Sequence, residues 1–355
     1  MSNRWARWLA ANDTNRFVLS RKKGWHEFVH AARRDPLERL TRQDLTTLGE
    51  EEREDYDEAR RVWNANLPTV KTQQLTDAYG VIDQVMASGR RDGDRLRGSV
   101  VIDAAPGLGK TTIATRYGRD LHRREVRRHG PRTQAGDQRL PVAFIPLTSE
   151  ITLKGLNVKL LEFYGHAAAD RATSPRLASM AVDCVVSCQT RLIIIDELHF
   201  VDFRHRRGVE VSNHLKSLAN EMPATFVYVG VGLQERKFFD EGLIGDSAAL
   251  AQTARRATRC PVTPYSYGTP AAARAWTDLL ATLEAHIVLS EARPGMLTDH
   301  ADELFRRTQG HIGSLTTLIE RSCDQAIRTG TETITSGLIA TTSIDNAATA
   351  RADAR

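Results

Sequence analysis

The chain has 355 residues, of which 41% are hydrophobic and 26% charged, and a formal net charge of +5. A chain of this length buries one substantial core plus smaller satellites, so a globular protein of two or three parts is expected. No apolar run reaches the roughly 20 residues that span a bilayer, and the N-terminus lacks a continuous apolar stretch with a cleavage site, so the cytoplasm is the expected compartment and no membrane partner is expected.

Residues 1–66 read as a helical arm of short amphipathic segments, with Trp5, Trp8 and Leu9 close together, then Trp25, Phe28 and Val29, then Tyr56, Ala59 and Trp63. Three of the five tryptophans precede residue 30, so this arm must pack on the protein's own body or on a partner. Leu75, Tyr79, Ile82 and Met86 then recur at helical spacing and Gly89 closes the run. From residue 67 to 268, short apolar runs alternate with helical patterns. "SVVIDA", "PVAFIPL", "RLIIIDE", "ATFVYVG" and "CPVTPY" are the strand candidates; a helix from Lys110 and helices over 152–164, 174–190 and 209–220 lie between them. This alternation predicts an α/β domain with a mostly parallel five-stranded sheet covered by helices on both faces. Residues 269–345 carry only helical patterns and read as a helical lid; residues 346–355 read as a flexible tail.

In "VVIDAAPGLGKTT" a strand runs into a loop and then a helix, the context of a phosphate cradle. Gly107 and Gly109 let the backbone N–H groups turn inward on phosphate oxygens, and the helix N-terminus is positive there. The cradle comprises Ala105, Pro106, Gly107, Leu108, Gly109, Lys110, Thr111 and Thr112. Lys110 reaches the β- and γ-phosphates of ATP, and Thr111 gives its hydroxyl to Mg²⁺. Ala104 stands where the motif has its first Gly, which is tolerable if the backbone there needs no positive φ.

"RLIIIDELHF" delivers Asp196 and Glu197 at the C-terminal end of a buried strand, where ligands of open α/β sheets bind. Asp196 is placed to hold Mg²⁺ through water and Glu197 to polarise the attacking water, so the expected reaction is hydrolysis of ATP to ADP and phosphate. His199 is either an ordinary polar loop residue or a link from the γ-phosphate to the neighbouring loop. After "ATFVYVG", where a polar side chain would sense the γ-phosphate, Gly230, Val231 and Gly232 offer only backbone, and Gln234 is the nearest substitute. Arg255, Arg256 and Arg259 are expected at a helix end before the last strand. From there Arg256, then Arg255, could reach a neighbouring subunit's nucleotide, an arginine's planar, permanent charge suiting a transferring phosphoryl group; alternatively they neutralise a helix C-terminus.

Cys184, Cys188, Cys260 and Cys323 have no C-x-x-C spacing, which argues against a disulfide scaffold or a zinc site. The arginine-rich stretch from Arg116 to Arg139 is either a solvated surface or a phosphate-backbone contact.

The order "APGLGKTT", "IIIDELHF", "NHLKSLANEMPATFVYVGVG", "QTARR" and a helical lid with "TQGHIGSL" resembles the AAA+ ATPases of transposition, most of all the TniB family, relatives of the Mu phage B protein and the Tn7 ATPase subunit. The likeness covers about residues 66–330. It implies a P-loop ATPase that assembles as a homo-oligomeric ring or filament on duplex DNA without sequence preference and helps a transposase or integrase partner engage its target. On that reading Arg204, Arg206, Arg207 and Lys216 are the first choice for DNA contacts. Many AAA+ lids have an arginine where "GHIG" here has Gly313. Two other classes fit the same motifs: a signalling or defence switch that does not bind DNA, and an ATP-dependent adaptor that barely hydrolyses.

Overall fold

The computed structural model describes residues 3–12, 16–89, 97–149, 151–167, 172–202, 205–235 and 257–344. Their contacts divide the chain into two compact units. One comprises residues 17–31 and 73–263; the other comprises residues 1–16, 32–72 and 264–355. The segment read as one arm over 1–66 is thus shared between both, because its apolar clusters match different cores.

In the first unit five strands form one sheet: β1 (Ser99–Asp103), β2 (Val142–Pro146), β3 (Leu192–Asp196), β4 (Thr225–Gly230) and β5 (Ala257–Pro261), in the order β2-β3-β4-β1-β5. All the pairings are parallel. Asp103 pairs with Gly230 on one side and Pro261 on the other, while Asp196 pairs with Pro146, so the C-terminal ends of the strands share one edge. β3, "LIIID", is buried at every position, as a central strand covered on both faces requires. β5 begins at Ala257, three residues before the run expected from sequence, and Arg259 lies within it rather than at a helix end. An edge strand has one unpaired side, which is why "ATRCP" carries exposed polar side chains that hide its period.

Helices Lys110–His129, Leu153–Tyr164, Ser174–Ser187 and Arg206–Glu221 connect the strands. Helix Lys22–His30 joins this core through Trp25, which is fully buried, faces Phe144 with ring centroids 6.3 Å apart and donates from Nε1 to His122 Nδ1 at 3.1 Å. The arginine-rich stretch is largely committed to the fold. Arg123 donates to Val29 O at 2.6 Å, Arg139 to Gly130 O at 2.8 Å and Arg132 to Gly136 O at 2.8 Å, while the Arg116 and Arg119 guanidiniums each lie 5.6 Å from the Phe28 ring centre. Burial pushes the Cys188 thiol up to about 11, so it stays a neutral, unreactive thiol at neutral pH.

In the second unit, helices Arg4–Ala11, Arg42–Thr47 and Glu50–Ala65 pack with Pro270–Glu284, Ala301–Thr308, Ile312–Thr329 and Ser336–Thr341. Trp276, Leu280, Leu315 and Leu318 form its main core. Asn64 zips the N-terminal part to the C-terminal part: its amide donates to Val288 O at 3.1 Å and accepts from Val288 N at 2.9 Å. Arg60, fully buried, donates from NH1 to Glu332 Oε2 at 2.5 Å and from NH2 to Glu332 Oε1 at 3.1 Å. Burial raises the Glu332 carboxyl, but the hydrogen bonds and charge of Arg60 outweigh it and hold Glu332 below its usual range.

Among the described residues no helix is long and apolar enough to cross a membrane.

Candidate active site

β1 ends at Asp103 and the chain enters the loop at Ala104, whose N–H donates to Gly230 O at 3.3 Å. Within the loop the left-handed conformation occurs at Gly107 (φ 76°) and Gly109 (φ 80°), and Ala104 does not adopt it. Alanine therefore replaces the motif's first Gly without backbone strain. Leu108 is buried and anchors the loop from beneath. Gly109 precedes helix Lys110–His129 and no side chain caps that helix, so its first N–H groups remain open to an anion.

Lys110 folds back so that Nζ donates to Ala105 O at 2.8 Å. Burial pulls its ammonium below its usual value, and Glu197, Asp196 and Asp103 oppose the fall. Thr111 Oγ1 donates to Asp196 Oδ2 at 2.8 Å. Asp196 is buried, and its other oxygen, Oδ1, accepts from Glu197 N at 2.8 Å. Burial pushes the Asp196 carboxyl up, against these two hydrogen bonds.

Glu197 takes a left-handed turn, φ 60° and ψ 32°, into the single 3₁₀ turn Leu198–Phe200. Its side chain is 42% exposed, and Oε2 lies 3.2 Å from His199 Nδ1. The fold thus brings Lys110, Thr111, Asp196 and Glu197 to one place at the C-terminal edge of the sheet. The site fits a magnesium nucleotide: the uncapped N–H groups at the start of helix Lys110–His129 suit an anion, Lys110 adds a cation beside the loop, and Thr111 with Asp196 offers a hydroxyl and a carboxylate, the hard oxygen donors that Mg²⁺ prefers.

Two features escaped the sequence reading. Asp103 Oδ2 accepts from Gln234 N at 3.1 Å, and Arg259 NH1 donates to Gln234 Oε1 at 2.8 Å, so Gln234 is held by residues of β1 and β5. Asp103 closes a strand immediately before the cradle, and that position was the available signal. A side chain at position 230 would have to displace the Leu233 side chain: a Cβ there would stand 2.7 Å from Leu233 Cδ2 and 3.2 Å from His199 N.

Arg206 and Arg207 begin helix Arg206–Glu221 and are exposed, whereas Lys216 is half-buried on it. Arg206 is paired with Glu210 at 3.1 Å. At about 100° per residue, Arg207 and Lys216 lie on opposite sides of this helix, so the helix does not present the three as one face. Arg204, Arg255 and Arg256 lie outside the described residues.

Residues 69–238 match the family model described as Bacterial TniB protein. That segment belongs to the TniB family. It runs from before β1 to just past β4, and so contains Lys110, Thr111, Asp196 and Glu197. Comparison of the chain with curated proteins yields no match. Among solved structures, the Aeropyrum pernix Orc1 protein in complex with DNA is similar over 81% of this chain and 68% of that one, with 16% identity and a TM-score of 0.55. Cdc6p from Pyrobaculum aerophilum is similar over 76% of this chain and 65% of that one, with 12% identity and a TM-score of 0.52. At these identities the likeness is one of fold. The TniB segment is therefore carried on an AAA+ P-loop fold.

Proposed function

We propose that this protein is an ATPase that assembles on duplex DNA and regulates target selection or transposase activation in DNA transposition. The observation that carries the hydrolytic part is the Thr111–Asp196 hydrogen bond with Glu197 next in the chain, beside the Lys110 loop. Lys110 and the loop N–H groups bind the phosphates, Thr111 and Asp196 hold the cation, and Glu197 accepts a proton from the attacking water. Bound Mg²⁺ neutralises charge on the phosphate oxygens. Arg256, then Arg255, supplied by a neighbouring copy of the chain, stabilises the charge that develops on the transferring group.

Family membership of residues 69–238 supports the link to transposition and to a transposase or integrase partner. Support for DNA comes from the fold shared with a protein solved in complex with DNA and from the +5 net charge. Arg206 and Arg207, with Arg204 two positions earlier in the sequence, are the proposed backbone contacts, since non-sequence-specific binding needs phosphate contacts and little base readout. Lys216 is a secondary candidate because of its place on the helix.

Two measurements test the reading together: steady-state ATP turnover with and without duplex DNA, and duplex affinity with and without ATP at two salt concentrations. The expected result is magnesium-dependent turnover and ATP-dependent affinity that falls steeply with salt. No duplex affinity at low salt with ATP present would leave a nucleotide switch that works without DNA.

A further inference from the structure

His199 takes no part in the hydrolysis outlined above, yet it lies against the carboxylate assigned to it. Its Nδ1 is 3.2 Å from Glu197 Oε2. The atom is buried and has no aligned hydrogen-bond partner among the described residues. Buried polar atoms are almost always matched, so an unmatched one beside a carboxylate calls for a role.

The pairing follows from the backbone. Side chains two residues apart on a regular helix do not face each other. The left-handed turn at Glu197 breaks that rule and carries the chain directly into the 3₁₀ turn that holds His199. The turn is held from two sides: Leu198 is fully buried, and His199 N lies against Gly230, 3.2 Å from where a Cβ there would stand. The imidazole packs on Phe200 with ring centroids 4.6 Å apart. With the backbone held, a rotation of the imidazole or of the carboxylate is enough to align an Nδ1–H with Oε2, because their separation is already in hydrogen-bond range.

We propose that His199 is a positioning residue for Glu197. Its Nδ1–H donates to Oε2 and fixes the carboxylate, leaving Oε1 to accept from the attacking water. This rests on the reading that Glu197 polarises that water. His199 touches neither the water nor the phosphate and exchanges no proton in the reaction.

The test compares His199→Ala, His199→Asn and His199→Gln in the full chain. An asparagine amide nitrogen stands as far from the backbone as imidazole Nδ1; a glutamine amide reaches further, to the place of Nε2. His199→Ala should lower kcat about ten- to hundredfold, the scale of loss from a misplaced catalytic group, with KM and ATP affinity unchanged. His199→Asn should recover most of the loss and His199→Gln should not. Wild-type kcat in His199→Ala, equal losses in all three variants, or a change confined to KM would each overturn the proposal. A second readout does not depend on turnover: the nitrogen NMR signals of the His199 ring in the protein without nucleotide should move on Glu197→Ala. Unmoved signals overturn the proposal; a wild type without turnover whose ring signals do move sinks the hydrolytic reading alone.

Discussion

Thr111 Oγ1 donates to Asp196 Oδ2 across 2.8 Å, although 85 residues separate them in the chain. The bond joins the first turn of helix Lys110–His129 to the end of β3 and supplies the buried carboxylate with a hydrogen bond that favours its charged form. A hydroxyl and a carboxylate held together in this way are ready to take a cation.

Lys110→Ala should weaken ATP binding about ten- to hundredfold, as expected for loss of a charge-assisted contact with phosphate. Equilibrium titration with a fluorescent ATP analogue measures it. A variant that binds as tightly as the wild type would remove Lys110 from the phosphate site.

Glu197→Gln should keep ATP affinity, stabilise the oligomer and lower turnover by roughly two to four orders of magnitude, the usual contribution of a general base. Phosphate release, read beside sedimentation with ATP, decides it. Unchanged turnover would take the proton-accepting role from Glu197.

The helical unit has its own test. Arg60 and Glu332 form a bidentate pair with side chains 0% and 2% exposed; removing Glu332 leaves buried Arg60 with Asp57 alone, and removing Arg60 leaves Glu332 with Arg53 at 3.5 Å and Ser290 N, so either loss leaves a buried charge poorly matched. Glu332→Ala or Arg60→Ala should each cost about 3–5 kcal/mol. Urea unfolding followed by tryptophan fluorescence, which includes Trp276 in that unit's core, should show the lower midpoint.

His122 sets an acid limit on the sheet unit. Burial, with the nearby His30 and His26 charges, lowers it from 6.5 to about 4, and its Nδ1 accepts from Trp25 Nε1, a bond that protonation would break. The folded state therefore binds fewer protons than the unfolded one between these two values. This contribution is fully present above 6.5 and is lost as pH falls toward 4, with a slope of up to about 1.4 kcal/mol per pH unit. Denaturant unfolding of the wild type and of His122→Gln at a series of pH values should show a shallower decline in the variant; equal slopes would exclude His122 as the cause.

Much of the first unit was legible because its signals are local. A cradle between a strand and a helix, and a run such as "LIIID" ending in acids, occupy contiguous residues, and the period of the side chains states which faces are covered. β5 was misplaced by three residues because an edge strand needs no apolar alternation. The same missing alternation makes Arg259 look like a helix-end residue when it lies inside β5.

The nucleotide-binding fold class, and Lys110, Thr111, Asp196 and Glu197 as its candidate site residues, are legible in the chain alone, since the chemistry of a phosphate loop and of an acidic strand end is written in short segments. Tertiary structure alone decided the contacts that depend on distant parts of the chain. It divided the first 66 residues between two cores, spent most of the arginine-rich stretch on internal carbonyls and rings, buried Arg60 against Glu332 and set His199 beside Glu197. The physical reason is the same in each case: an unpaired charge or polar atom taken out of water is costly, and only the folded chain shows which partner, tens or hundreds of residues away, satisfies it.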